Sequence, residues 1–247
     1  MKQLKLIIFL LTALACTVSF AQNPPLRVAL NRFSPPFVMQ GAHEQLFGFD
    51  VAMMNAICKI LERECQFRVM SFNQLLNAVV NKEADVAVGS IGITAERAAL
   101  VNFSLPYLPS KALFMGDTSK LNGQEFSIKT LNNKRIGVEA GTVFSSEITH
   151  MGINNPEVVT FQYEEDIIEA LANEDIDFAL LDAPSAQYWQ AHSSLKILGE
   201  PIPYGLGLGI GIGKDDMPLL QSINQALLQY QNSPDFKKDY NMYLQAF

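Results

Sequence analysis

Short apolar runs alternate with segments of helical periodicity along most of this 247-residue chain. Residues 26–30 form a compact apolar run, whereas Phe49, Met53 and Ile57 recur at the spacing of one helix face. This alternation occurs twice, once before residue 105 and again after residue 135. Alternating strands and helices predict an α/β fold with largely parallel sheets, and two such series predict two lobes.

Two extended segments separate these series from each other and from the C-terminal part. The first covers residues 105–115, and the second covers residues 204–213, where glycine alternates with leucine or isoleucine after Tyr204. A period of two predicts a strand, and its glycine face would allow another backbone or a ligand to approach closely. Prolines at 218 and 234, just after Asp216 and Ser233, predict two C-terminal helices.

The first 21 residues are typical of a secretory signal peptide. Lys2 and Lys5 precede an apolar run over residues 6–20, and Ser19 and Ala21 supply small residues before a cleavage site. The run is shorter than the ~20 apolar residues of a spanning helix, so export in soluble form is expected. Lipidation of Cys16 is the alternative, but leucine stands two rather than three positions before it.

Export of the protein bears on whether the other two cysteines form a disulfide. Cys58 lies near the end of a predicted helix and Cys65 lies just before a predicted strand. In an oxidising compartment a disulfide would join the two elements. The entropic model assigns about 2.5 kcal/mol to such a short loop. A metal or redox site is the alternative, but it lacks the C-x-x-C spacing and a nearby histidine.

Charge and motifs exclude several classes of function. The formal net charge is −7 and no cluster of lysine and arginine occurs, which argues against nucleic acid or an anionic membrane surface as a partner. No G-x-G-x-x-G, H-E-x-x-H or G-x-S-x-G motif is present, and the three histidines lie far apart. The sequence therefore implies no cofactor and no metal.

Three turns between strands and helices carry candidate binding residues. After a predicted strand, residues 89–96 lead into a helix whose first turn contains Arg97, where backbone N–H groups and a guanidinium would bind a carboxylate. A local ion pair with Glu96 is an equal alternative. The turn over residues 139–143 offers further N–H groups. Asp182 ends another strand, where ligand contacts are usual, although capping of the next helix is a strong alternative.

Together these motifs resemble the periplasmic polar amino-acid-binding proteins of ABC importers, solute-binding protein family 3, especially the arginine and lysine/arginine/ornithine/histidine binders. They are Ser34-Pro35-Pro36-Phe37, Gly48-Phe49-Asp50-Val51, Gly92-Ile93-Thr94-Ala95-Glu96-Arg97, Phe103-Ser104-Leu105-Pro106-Tyr107, Gly137-Val138-Glu139-Ala140-Gly141-Thr142 and Leu181-Asp182. The resemblance implies the two-lobed type II periplasmic-binding-protein fold, with two hinge strands and the ligand in the interlobe cleft. The expected units are a signal peptide at 1–21, lobe 1 at 22–108 plus 205–247, and lobe 2 at 109–204.

The resemblance also assigns roles to individual residues. Arg97 matches the residue that grips the ligand α-carboxylate, and Asp182 matches the partner of the α-ammonium. Phe72 stands where an aromatic or leucine side chain packs on the ligand. Expected to assist the carboxylate are Ser90, Gly92 and Thr142.

Four positions bear on the choice of ligand. Ser34 replaces the usual tyrosine of the family, and Val143 replaces a common threonine, leaving its backbone N–H for the carboxylate. Asn31 stands where histidine and lysine binders have aspartate, which weakens those two ligands. Glu139 is similarly acidic in an arginine-binding relative, which favours a guanidinium.

The function expected from this resemblance is capture of a free polar L-amino acid in the periplasm, with arginine favoured, and delivery to a membrane permease. The protein would act as a monomer and would catalyse no reaction. The alternative on the same fold is a secreted cyclohexadienyl (arogenate or prephenate) dehydratase, with Glu139 or Asp182 as general acid. A further alternative is docking of the loaded protein on a separate receptor.

Overall fold

The computed structural model describes residues 23–245, so the signal peptide and Cys16 lie outside the described residues. Within that range no helix is long and apolar enough to cross a membrane. The strands are β1 (Leu26–Asn31), β2 (Met39–Gln40), β3 (Leu46–Phe47), β4 (Cys65–Met70), β5 (Val86–Val88), β6 (Asn102–Phe103), β7 (Lys111–Gly116), β8 (Arg135–Glu139), β9 (Glu157–Phe161), β10 (Phe178–Asp182), β11 (Lys196–Pro203) and β12 (Gly211–Ile212).

The helices follow the predicted alternation. They are α1 (Phe49–Ile60), α2 (Leu75–Val80), α3 (Ala95–Leu100), α4 (Phe144–His150), α5 (Glu164–Ala172), α6 (Ala183–His192), α7 (Met217–Gln231) and α8 (Pro234–Tyr243). Asp216 and Ser233 cap α7 and α8 by accepting backbone N–H bonds, as their proline signals predicted. The helix expected from Thr142 begins instead at Phe144, because the Thr142 hydroxyl and N–H both donate to the Glu139 carbonyl in a turn.

Two five-stranded sheets organise the chain. The first has the order β4-β1-β5-β12-β6 and the second has the order β11-β7-β10-β8-β9. We call the first sheet with its helices lobe 1 and the second lobe 2; the residue boundaries proposed for the lobes stay a prediction. The predicted helix face packs on the first sheet, since Phe49, Met53 and Ile57 are fully buried.

Both large sheets are mixed, so the prediction of largely parallel sheets is wrong. β1 pairs in parallel with β4 and β5, and β8 pairs in parallel with β9 and β10. The four strands on either side of the crossings, β6, β7, β11 and β12, pair antiparallel with their neighbours. The chain changes lobe between these strands. They therefore run against the direction of the strands beside them. β11 had no predicted counterpart.

The chain crosses between the sheets at residues 104–110 and 204–210, and the two crossings are bonded to each other. The Leu208 N–H donates to the Leu108 carbonyl at 2.8 Å, and the Tyr107 N–H donates to the Leu208 carbonyl at 2.9 Å. Two hydrogen-bonded crossings are the arrangement of a hinge.

The glycine-alternating segment departs from the predicted continuous strand. Only Gly211–Ile212 is a strand, because Gly205 and Gly207 take positive φ angles of 55° and 105°, which bend the chain. The expected close approach of another backbone is confirmed: a Cβ at Gly205 would lie 2.6 Å from the Ile93 carbonyl oxygen. This tight packing fixes the second crossing against the segment that precedes α3.

The predicted disulfide is confirmed. Cys58 of α1 and Cys65 of β4 are bonded, with their Cα atoms 5.7 Å apart. The bond fixes the C-terminal part of α1 to the start of the edge strand β4 of lobe 1.

Candidate binding cleft

The candidate residues lie at the carboxyl ends of parallel strands in both sheets. Asn31 ends β1 and Ser90 follows β5 in lobe 1, whereas Glu139 ends β8 and Asp182 ends β10 in lobe 2. Ligands of open α/β sheets bind at these strand ends. The sequence alternation therefore places the predicted site residues of both lobes at the same cleft.

Arg97 spans the cleft. Thr94 caps α3 by accepting the Arg97 N–H, which fixes the start of the helix. The Arg97 guanidinium donates from Nη1 to the Gly92 carbonyl at 2.9 Å and from Nη2 to the Gly141 carbonyl of lobe 2 at 3.0 Å. Arg97 is 9% exposed and burial lowers its pKa, so the group is held where its charge has little water.

The Arg97 guanidinium also lies over an aromatic ring. Its central carbon is 5.2 Å from the centre of the Phe72 ring, within the range of a cation–π contact. The alternative of a local ion pair with Glu96 is not found among the ion pairs of residues 23–245. Arg97 therefore faces the opposite lobe rather than its own helix.

Asp182 occupies the N-cap position of α6, but its carboxylate makes no capping bond to that helix. It accepts hydrogen bonds from the Tyr204 hydroxyl and from Ser90 of lobe 1. Burial raises the pKa of Asp182 to about 6, while these two donors and the charge of Arg97 act in the opposite direction. Arg97 and Asp182 thus belong to one electrostatic environment although they lie in different lobes.

Tyr204 of the second crossing lies between these two charges. A Cβ at Gly92 would lie 2.5 Å from Cε2 of Tyr204, so only glycine leaves room for the ring. The ring of Phe144, in the first turn of α4, meets the Tyr204 ring edge-on at 5.3 Å. Tyr204 thereby connects the hinge to the two charged residues.

A cavity of about 680 Å³ lies beside this arrangement. Residues of both lobes line it, including Phe72, Arg97, Thr142 and Val143. Asp182 is not among the lining residues, so the cavity presents the guanidinium side of the site. The Thr142 hydroxyl donates to the Glu139 carbonyl at 2.7 Å, and its N–H donates to the same oxygen at 3.2 Å, so its own turn uses both donors.

Backbone N–H groups of the turn after β5 are only partly available for an anion. The Ser90 N–H donates to Asp50 at 2.9 Å, and the Ile93 N–H donates to the Gly207 carbonyl at 2.8 Å. The expectation that the backbone N–H groups of this turn are free to bind a carboxylate is therefore wrong at these two positions, because α1 and the second crossing pack against the turn.

Two further buried acids of lobe 2 contact lobe 1. Glu139 is 6% exposed and accepts a hydrogen bond from the Asn31 amide at 3.4 Å. Glu164, the first residue of α5, is 4% exposed and accepts bonds from Ser34 at 3.3 Å and from the Trp189 indole at 2.5 Å. Burial raises the pKa of both carboxyl groups, that of Glu164 to about 8.

Residues 31–35, which we call the bridging segment, join the lobes at the edge of the cleft. Besides the bonds of Asn31 and Ser34, Arg32 pairs with Glu165 at 3.2 Å and lies over the Tyr163 ring at 4.3 Å. The Ser185 hydroxyl donates to the Pro35 carbonyl at 2.7 Å. The short segment at the end of β1 thus makes four polar side-chain contacts with the opposite lobe.

Several of these residues were not predicted from the sequence: Asp50, Glu164, Ser185, Trp189 and Tyr204. Glu164 is one of three acids in the first turn of a helix. Because acids are common at this position on protein surfaces, the sequence does not distinguish it as a buried residue. In the sequence, Tyr204 stands out only as the start of a glycine-rich segment. Among residues 23–245 no group of three His, Cys, Asp or Glu side chains is arranged to hold a metal ion.

Comparisons with known proteins agree with this geometry. The model of the family "Bacterial extracellular solute-binding proteins, family 3" matches residues 26–246. The arginine-binding periplasmic protein of Mannheimia haemolytica is 30% identical over 240 residues, covering 95% of this chain and 97% of that protein. The crystal structure of an arginine 3rd transport system periplasmic binding protein from Legionella pneumophila is 29% identical, with a TM-score of 0.81, covering 89% and 99%.

A third neighbour concerns the dehydratase alternative. An ancestral amino-acid-binding protein described as a precursor of cyclohexadienyl dehydratase has a TM-score of 0.81 at 22% identity, covering 89% of this chain and 95% of that one. At that identity the likeness shows the fold alone. The predicted two-lobed type II fold is confirmed by these structures, and the chain belongs to the bacterial extracellular solute-binding proteins of family 3.

Proposed function

We propose that the protein captures a free L-amino acid between its lobes, with arginine as the preferred ligand, and delivers it to the permease of an ABC importer. The observation that carries this proposal is the meeting of Arg97 and Asp182, from opposite lobes, around Tyr204. An α-amino acid carries one anionic and one cationic group on the same carbon. A cation from one lobe and an anion from the other suit those two groups.

Arg97 retains donors for a carboxylate. A guanidinium has five N–H groups, and two nitrogens already hold the Gly92 and Gly141 carbonyls. The remaining N–H groups would bind the ligand carboxylate, while Phe72 packs against the ligand as well as against Arg97. Gly92, Ser90, Thr142 and Val143 shape the wall around this position.

Asp182 retains acceptor capacity for an ammonium group. A carboxylate has about four lone-pair sites, and the hydrogen bonds from Tyr204 and Ser90 use part of them. Two charge-assisted interactions of roughly 1.5–3 kcal/mol each supply part of the about 8 kcal/mol that micromolar affinity requires, and burial of the ligand between the lobes, including its contact with Phe72, would supply the rest. Such binding makes and breaks no covalent bond.

Arginine is preferred because the cleft holds buried acids in addition to Arg97 and Asp182. Glu139 and Glu164 both lie in the cleft, and Asn31 does not add the acid that histidine and lysine binders have. Relatives named for arginine binding cover nearly all of the chain. Export to the periplasm, a monomeric state and a permease partner complete the proposal, as expected for the family.

A thermal-shift screen tests the proposal. The mature chain is heated with each of the twenty amino acids and ornithine, because a ligand of the folded state raises the melting temperature by mass action. L-Arginine should give the largest shift, and D-arginine should give little. Absence of a shift with every amino acid, or formation of an aromatic product from prephenate or arogenate, would contradict it.

A further inference from the structure

Asp50 is a buried acid of lobe 1 that has no part in the proposed capture of the ligand. It lies in the first turn of α1, and none of its surface is exposed. Its Oδ2 atom accepts the Ser90 N–H at 2.9 Å and the Tyr107 hydroxyl at 3.1 Å. Burying a carboxylate is costly, and two hydrogen bonds from neutral donors offset only part of that cost. Asp50 therefore joins α1 to the turn after β5 and to the first crossing at an expense in stability.

Ser90 has a backbone conformation that needs support. Its φ angle is +48°, in the left-handed region, although it is not a glycine. A residue with a Cβ atom adopts this conformation at a cost and keeps it only where the surrounding structure holds it. Ser90 is 4% exposed, and its N–H donates to Asp50. The carboxylate of Asp50 is thus a direct restraint on the strained residue.

The position of Ser90 bears on the opposite lobe. Its hydroxyl hydrogen-bonds the Asp182 carboxylate, which also accepts the Tyr204 hydroxyl. Tyr107 lies on the first crossing and Tyr204 lies on the second. A chain of hydrogen bonds therefore runs from one crossing to the other through Asp50, Ser90 and Asp182.

We propose that Asp50 is a positioning residue of the ammonium site, which holds Ser90 in its left-handed conformation so that Ser90 can hold Asp182 where the ligand ammonium binds. This inference rests on the proposed function of the cleft. Asp50 is completely buried and would act through Ser90 rather than by contact with the ligand. Without its oxygen the Ser90 N–H would lose its partner, and the turn would rearrange to satisfy that N–H.

The carboxylate side of the site is held by other contacts. The carbonyls of residues 91 and 93 accept backbone N–H bonds from the second crossing, both at 2.9 Å. They flank Gly92, whose carbonyl accepts a hydrogen bond from Arg97. Loss of the Asp50 carboxylate should therefore disturb the contact with the ligand ammonium more than the contact with the ligand carboxylate.

A pair of ligands separates these two effects. 5-Guanidinopentanoate is arginine without its α-amino group, so it keeps the carboxylate and the side chain but offers no ammonium to Asp182. In calorimetry, wild-type protein should bind arginine at least tenfold more tightly than 5-guanidinopentanoate. Asp50→Leu should weaken arginine binding about tenfold and change the affinity for 5-guanidinopentanoate less than threefold. Asp50→Asn keeps an acceptor oxygen and should bind arginine within threefold of wild type.

Two further variants complete the test. Asp239→Leu is the matched control, because Asp239 of α8 also lies in lobe 1 and accepts a tyrosine hydroxyl, that of Tyr230 at 2.9 Å. It should leave both affinities unchanged. Ser90→Ala removes the hydroxyl that meets Asp182 but keeps the N–H that meets Asp50, so it should show the same selective loss of arginine affinity.

Four outcomes would overturn the inference. The first is an equal loss of affinity for both ligands in Asp50→Leu, which would mark a merely structural role. The second is full arginine affinity in folded Asp50→Leu. The third is a loss in Asp50→Asn as large as that in Asp50→Leu. The fourth is an unchanged preference for arginine over 5-guanidinopentanoate in Ser90→Ala, which is decisive even if Asp50→Leu fails to fold.

These outcomes differ from a failure of the proposed function. A wild-type protein that binds no amino acid at all would contradict the proposed function itself, whereas a wild-type protein that binds arginine leaves the role of Asp50 to the variants.

Discussion

Replacing Asp50 with asparagine should remove the contribution of one buried acid to the pH dependence of folding stability. Asp50 lies in the first turn of α1 and is completely buried. Its Oδ2 accepts the Ser90 N–H at 2.9 Å and the Tyr107 hydroxyl at 3.1 Å. Among the described residues its Oδ1 has no hydrogen-bond partner. Asparagine keeps the shape and an acceptor oxygen but carries no ionisable group.

The magnitude follows from the pKa of Asp50, which burial raises from 3.8 to about 7 against the effect of the two hydrogen bonds. A raised pKa means that the folded state binds a proton that the unfolded state has lost between these two values. The stability contribution of this proton is fully present below pH 3.8 and disappears as the pH rises through about 7. At ~1.4 kcal/mol for each pKa unit, the loss is about 4 kcal/mol.

Urea unfolding followed by circular dichroism measures this effect on the ligand-free protein. The free energy of unfolding of Asp50→Asn minus that of wild type should increase by about 4 kcal/mol between pH 4 and pH 8. Asp215→Asn, at an exposed position before α7, should follow the wild-type profile. Parallel pH profiles for wild type and Asp50→Asn would refute the reasoning.

Two further predictions concern the disulfide and the bridging segment. Double replacement of Cys58 and Cys65 by serine should lower the free energy of unfolding by about 2.5 kcal/mol and leave arginine affinity unchanged, because the bond lies on α1 and β4; equal stability under oxidising conditions would contradict this. Glu165→Gln should weaken arginine binding by less than about fivefold, since the Arg32–Glu165 pair is partly exposed, and the effect should shrink in high salt. A salt-independent loss would show that the effect does not arise from this ion pair.

The sequence predicted the elements whose signals are local. The periodicity of Phe49, Met53 and Ile57 located α1, and prolines after polar caps located α7 and α8. The disulfide was also predictable, because its cysteines flank one turn in the chain. In each case the residues that decide the structure lie close together in sequence.

Features that depend on distant contacts were not predictable. The alternation of glycine after Tyr204 is compatible with a strand, but the segment bends at Gly205, which packs against residue 93, and at Gly207, which packs against residues 106 and 108 of the first crossing. Glu164 is one of three successive acids, and its burial depends on Trp189 and Ser34 from two other parts of the chain. For this reason the sequence did not identify Glu164 and Trp189 as polar residues of the cleft.

The role of Arg97 is the central claim, and calorimetric titration of L-arginine into Arg97→Ala tests it most directly. Loss of two charge-assisted hydrogen bonds, together about 3–6 kcal/mol, should weaken binding by roughly 10² to 10⁴-fold. Arg68→Ala removes an exposed arginine paired with Glu83 and should retain wild-type affinity. If folded Arg97→Ala binds arginine within a few-fold of wild type, the carboxylate site does not lie at Arg97.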